Sequence, residues 1–263
     1  TYLYGCYTLA MTVYLLVPAI TQAFGISALP SVTAAWAKGN KKELRGRMET
    51  VVRITALFCF PAGIGVTVLA EPITRLLYGE GQSVPVIAQC LALLGIASLA
   101  AAMNGPLSSM LQAVGRADLP VKLLFVAMAI KLGANWVLCG VPEINILGAG
   151  MGTILCYLFL VVSQFWCLRR AAGVSLSTVG IFFRPLACAL LCGASARFLY
   201  DLLRPLLPLG SGGEAIVLVI STAFGGILYL TGLLLLKGIR KSDLQSLPNG
   251  QKIAKMLEKQ GWI

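Results

Sequence analysis

The stretch Val84–Ala113, VPVIAQCLALLGIASLAAAMNGPLSSMLQA, runs for thirty residues without a charge. As a helix it is about 45 Å long at 1.5 Å per residue, more than enough to cross a hydrocarbon core of roughly 30 Å. Its Gly, Ala and Ser content is that of a helix packed closely against others in a membrane. Working outward from it, six more apolar segments appear: about Leu3–Trp36 and Thr50–Ala70 before it, and about Val121–Val141, Ile146–Leu168, Val179–Leu203 and Ala215–Leu236 after it. Lys237 to Ile263 forms a tail. The expected fold is all-α: a polytopic membrane helical bundle of about seven transmembrane helices. Pro18, Gly25 and Pro30 predict kinks or a break in the first segment, Pro61 marks the middle of the second, and Asn104-Gly105-Pro106 predicts an interruption in the third.

Composition agrees. Of 263 residues, 58% are hydrophobic and 12% charged, against about 25% charged in soluble domains. That excludes a soluble enzyme and a disordered chain. The net charge of +11 is not interleaved with stacking aromatics. It reads as basic cytoplasmic loops rather than as a nucleic-acid surface, so no nucleic-acid partner is expected. There is no His, hence no His-based metal site or proton relay. Eight Cys fall in apolar stretches without a CxxC pair, and read as small buried apolar residues. The chain opens at Thr1 directly on a membrane segment, as a piece with sequence missing upstream would.

Loop charges alternate. Lys38, Lys41, Lys42, Arg45 and Arg47 follow the first segment; Arg116 and Lys122 follow the third; Arg169 and Arg170 follow the fifth; Lys237, Arg240, Lys241, Lys252, Lys255 and Lys259 lie in the tail. These are expected to be cytoplasmic, the C-terminus included. Gln251–Trp262 reads either as a basic amphipathic helix on an anionic leaflet or as a solvated helix.

Polar groups inside the spans are the candidate site. Lys131 lies about ten residues into its segment, roughly 15 Å deep, with Asn135 at i+4 on the same face. It is either a cationic site facing a hydrated cavity or a structural hydrogen bond. Arg53, one turn into the second segment, can snorkel to the surface. Asn104, Ser108 and Gln112, at i, i+4 and i+8, either line a polar pathway or bond to neighbouring helices. Thr21 and Gln22 follow Pro18 and either satisfy backbone at a kink or join that lining. Arg197 and Asp201 read as a local ion pair. All ten Asp and Glu lie in loops or at span ends, whereas a cation-coupled antiporter commonly needs a carboxylate at depth. An anionic substrate suits Lys131. No GxSxG, P-loop or paired carboxylate is present, so neither an enzyme nor a cofactor is expected. Gly148-Ala149-Gly150-Met151-Gly152 opens a span and reads as a packing face. A seven-span receptor or a membrane transferase would carry end-of-helix signalling motifs or acidic clusters that are not here.

Several stretches in order carry a resemblance. They are Leu29-Pro30 and Gly39-Asn40-Lys41-Lys42-Glu43-Leu44; Pro61-Ala62-Gly63-Ile64-Gly65; Glu71-Pro72 through Tyr78-Gly79; Leu111-Gln112 through Gly115-Arg116; Ile130-Lys131 with Asn135; and Pro142-Glu143 leading to Gly152-Thr153. Over roughly residues 1–170 the chain resembles the MATE-like oligosaccharide and lipid II flippases, in their stage V sporulation protein B-like branch. The resemblance implies the C-terminal half of a fourteen-helix transporter: five helices of the second lobe in 1–170, two additional helices in 171–240 and a basic tail in 241–263. It implies a bacterial plasma-membrane protein that moves undecaprenyl-pyrophosphate-linked saccharides by alternating access. Its partners would be that lipid-linked anionic substrate, membrane lipids and the missing N-terminal lobe. Lys131 stands where the branch carries an intramembrane lysine, and Arg53 matches a basic position early in the second span. A multidrug antiporter of the same fold is the alternative.

Overall fold

The computed structural model describes residues 2–176, 178–206 and 211–235. They are helical: α1 Tyr2–Tyr14, α2 Leu16–Ala37, α3 Lys41–Val68, α4 Ala70–Tyr78, α5 Val84–Ala113, α6 Asp118–Cys139, α7 Leu147–Ala172, α8 Thr178–Leu203 with a 3-10 turn Arg204–Leu206, and α9 Ser211–Leu235. With α1 and α2 counted as one segment, seven helices are long and apolar enough to cross a membrane. The tail, with the expected helix Gln251–Trp262, lies outside the described residues.

The charge-free stretch is the hub. α5 packs against α1, α2, α3, α4 and α7, while α6 touches the bundle almost only through α7, and α8 joins it through α3 and α9. Small residues make this possible. A Cβ on Gly25 of α2 would stand 2.8 Å from Pro106 Cα, and one on Gly95 of α5 would stand 2.8 Å from the Thr67 nitrogen of α3. Lipid is as apolar as the core, so close van der Waals fit rather than water exclusion holds such helices together.

Four expectations change. The first segment is not broken at Gly25 or Pro30, through which α2 is continuous. It is interrupted only at Leu15, beside the Tyr14 carbonyl for which Pro18 has no N–H, and Leu15 itself keeps helical angles and a bond to the Met11 carbonyl at 3.0 Å. The third segment is not interrupted at 104–106: α5 continues through Pro106 and gives up only the bond to Ala102. The basic stretch after the first segment is not a loop. The Asn40 side chain accepts from the Glu43 N–H at 3.2 Å, capping α3 at Lys41, so Lys41, Lys42, Arg45 and Arg47 ride on helix. Only Lys38–Asn40 remain as a turn, closed by Gly39 at φ +66°. The stretch after the second segment contains the short helix α4. Two smaller corrections follow: Cys139 is exposed and Cys167 half-buried, while the other six Cys are buried as expected.

The expected Arg197–Asp201 pair is present, with Nε at 2.9 Å from Oδ2, and it is not only local. Arg197 also lies 3.6 Å from Glu71 of α4, which holds Arg75 at 2.6 Å. This chain of charges links α4 to α8 at the end away from Lys41.

Candidate functional site

The glycine run of α7 serves two neighbours, as a packing face should. Gly148 faces Leu138 and Cys139 of α6, Gly150 faces Leu93 of α5, and Gly152 faces the Asn135 side chain and the Lys131 carbonyl. Lys131 and Asn135 therefore sit together, half-buried, where α6 crosses α7. Asn135 Oδ1 is buried with no hydrogen-bond partner. No described carboxylate lies within ion-pairing distance of Lys131.

A second polar group forms between α5 and α7. Gln164 Nε2 donates to Asn104 Oδ1 at 2.9 Å and to Ser108 Oγ at 3.1 Å. Gln164 is 1% exposed, and its Oε1 has no partner. Asn104 and Ser108 thus bond to a neighbouring helix, and both remain half-buried rather than buried. Gln164 was missed by the sequence reading. The available signal was its place in an apolar span, three turns beyond Gly152, with no charge beside it.

Gln22, exposed on α2, lies with its Cα 3.1 Å from where a Cβ on Gly105 would be. Asn104, Gly105 and Ser108 therefore lie half-buried on α5 between Gln22 of α2 and Gln164 of α7. α1 packs on α5 and reaches α7 through Tyr7 Oη and Thr153 Oγ1, 3.3 Å apart, whereas α2 packs on α5 and α3. Gln112 is exposed one turn further along α5.

Arg53 corrects an expectation. It is not one turn into its helix but twelve residues beyond Lys41, and at 6% exposure it is buried. It is not without a partner. α3 runs antiparallel to α5, with Gly63 against Gly95 and Ser98. Ten residues back, about 15 Å, Arg53 comes level with Leu107 and Ser108. Gln22, Arg53, Asn104, Ser108 and Gln164 thus occupy one depth on four helices. Lys131 and Asn135 do not join them: Gln164 lies twelve residues past Gly152 on α7, about 18 Å along the axis.

The Gln164 bonds give a first test. Asn104→Ala leaves one Gln164 N–H without its acceptor in a buried site, a loss of about 1–3 kcal/mol, and thermal unfolding of the purified protein is expected to fall by several degrees. Gln164→Met combined with Asn104→Leu replaces both partners by apolar groups of similar shape and is expected to recover most of that loss.

Seven apolar helices packed around a charge-free central one, with polar side chains between them, define a polytopic membrane protein rather than an anchored soluble domain. A family model described as lipid II flippase MurJ matches residues 5–205. The chain belongs to the lipid II flippase MurJ family. It is 25% identical over 218 residues to lipid II flippase MurJ of Bacillus subtilis (strain 168), covering 80% of this chain and 39% of that protein. It is 23% identical over 242 residues to stage V sporulation protein B of the same organism, covering 91% of this chain and 44% of that one. A solved lipid II flippase MurJ in an inward closed conformation superimposes with a TM-score of 0.64 at 16% identity, over 88% of this chain and 46% of that chain. That likeness is one of fold. The chain spans less than half the length of the curated relatives it matches.

Proposed function

We propose that this chain is five helices of the second lobe and the terminal helix pair of a flippase that carries undecaprenyl-pyrophosphate-linked saccharides, lipid II or a related precursor, across the plasma membrane by alternating access. The observation that carries the reading is Lys131. A cation half-buried near mid-depth is costly unless something rewards it, and no described carboxylate does. A pyrophosphate has the charge to do so, with donors in reach from the Asn135 amide. The amide and hydroxyl groups of Gln22, Asn104 and Ser108 suit the uncharged hydroxyls of a sugar, and Gln112 extends that row. Arg53 lies buried at the same depth on α3.

On this reading the partner is an N-terminal lobe that faces these polar groups, with the five spans of α1–α7 belonging to the second lobe and α8–α9 as the added pair. The chain end after α9 is cytoplasmic, as is the Lys38–Asn40 turn. A tag in that turn and one at the C-terminus are both expected to resist membrane-impermeant reagents until cells are opened; labelling of either in intact cells inverts the assignment. The functional test is rescue. The gene, with whatever sequence precedes this stretch, is expressed in cells depleted of their own lipid II flippase. Restored growth with cleared lipid-linked precursor is expected. Precursor that keeps accumulating despite normal membrane levels excludes lipid II as cargo.

A further inference from the structure

Pro61 sits inside α3. It has no N–H, so the carbonyl four residues earlier, that of Leu57, has no i+4 helical donor. In a membrane interior an unmatched carbonyl is expensive, because no water is there to take the place of the lost bond. The structure supplies another donor from far along the chain. Tyr229 of α9, 172 positions away, donates its hydroxyl to the Leu57 oxygen at 3.0 Å. The tyrosine is 5% exposed and sits in the cluster that also holds Cys59, Ile64, Cys188, Cys192 and Leu233. Around it, contact is by small residues: Gly225 against Ala196, Gly232 against Cys188, Gly193 against Ile64. Such smooth faces fit closely but do not by themselves set a register. A single hydroxyl aimed at a single freed carbonyl does.

We propose that Tyr229 is a positioning residue: by donating to the Leu57 carbonyl that Pro61 releases, it fixes the register of the α8–α9 pair on α3 and the angle between the two halves of α3. Leu57 lies one turn from Arg53. The bond therefore also sets where the candidate-site half of α3 points. That last consequence rests on the flippase reading; the lock itself does not.

The test is a double-mutant cycle on the purified full-length protein in nanodiscs, read by thermal unfolding. Tyr229→Phe removes one oxygen and keeps the ring, so packing is preserved. It is expected to lower the midpoint by about 2–4 °C, the shift that loss of a buried bond gives in a protein of this size. Pro61→Ala returns an N–H to position 61 and closes the Leu57 carbonyl within its own helix. In that background Tyr229→Phe is expected to shift the midpoint by less than about 1 °C. Equal shifts in both backgrounds would mean that Tyr229 acts by packing alone and overturn the proposal. So would an unchanged midpoint for Tyr229→Phe in the wild-type background, a result that stands even if Pro61→Ala does not fold. Precursor accumulation in cells carrying Tyr229→Phe separates the two layers: a lowered midpoint with normal clearance keeps the lock and removes its link to Arg53.

Discussion

Lys131→Ala, placed in the full-length protein, is expected to abolish rescue of flippase-depleted cells while leaving its level in the membrane unchanged. The two halves of that result follow from one geometry. Lys131 is half-buried on α6, has no described ion-pair partner and leans on the glycine face of α7. Removing its side chain breaks no observed salt bridge and opens no core cavity, so folding has little to lose. What is lost is a positive charge at depth. A charge buried for a pyrophosphate is worth several kcal/mol to the bound state, because attraction between opposite charges grows as the effective dielectric falls. Lys131→Arg keeps the charge but spreads it over a wider plane, and partial rescue is expected. Full rescue by the alanine variant, measured as growth and precursor clearance, would reduce Lys131 to a packing residue.

Gly25→Val is expected to do the reverse, removing the folded protein from the membrane rather than disabling it. The new Cβ would stand 2.8 Å from Pro106 Cα and 2.9 Å from Pro106 N. Those are backbone atoms of the central helix, so no side chain can swing aside. The helices must separate, and overpacking of this kind costs about 1–3 kcal/mol or more. α2 and α5 also bring Gln22 beside Gly105, so separation there moves Gln22 away from Asn104 and Ser108. Size-exclusion of the solubilised protein is expected to show aggregate in place of a single peak. A monodisperse variant with an unchanged midpoint would mean that α2 and α5 do not cross this closely. Gly65, where a Cβ meets nothing within 4 Å, is the matched control and is expected to accept alanine with at most a helix-propensity change.

Much of the fold was legible because hydropathy and loop charge are summed properties. The bounds of α5 came out as Val84–Ala113 from apolar content alone, and the glycine run of α7 was recognisable as a packing face. Where single residues decide, the reading was poorer. Asn40 and its cap convert an apparent loop into three turns of helix, and that moved Arg53 from an expected surface position to the interior. Pro18, Pro30 and Pro106 look alike in sequence, yet only near Pro18 is the helix interrupted, and Pro30, exposed, and Pro106, buried, both lie inside continuous helices. Asn104 and Ser108 were found by their i, i+4 spacing, but Gln164 was not, because its partners lie on another helix and no spacing within α7 points to them. Arg197 had one partner visible at i+4 and a second, Glu71, more than a hundred residues away.

The contact between α6 and α7 has a mechanical consequence. Helices usually interlock, ridge into groove, and to shift one past the other its side chains must be lifted out of their slots. α7 sets Gly152 against the Asn135 side chain and Gly148 against Leu138 and Cys139 at one end of α6, and packs Cys156 and Leu160 with Ala127 further along. α6 has little other support, being joined to the bundle almost only through α7. It is therefore hung on a single seam, and any force on the cation it carries reaches the hub helix α5 chiefly by way of α7.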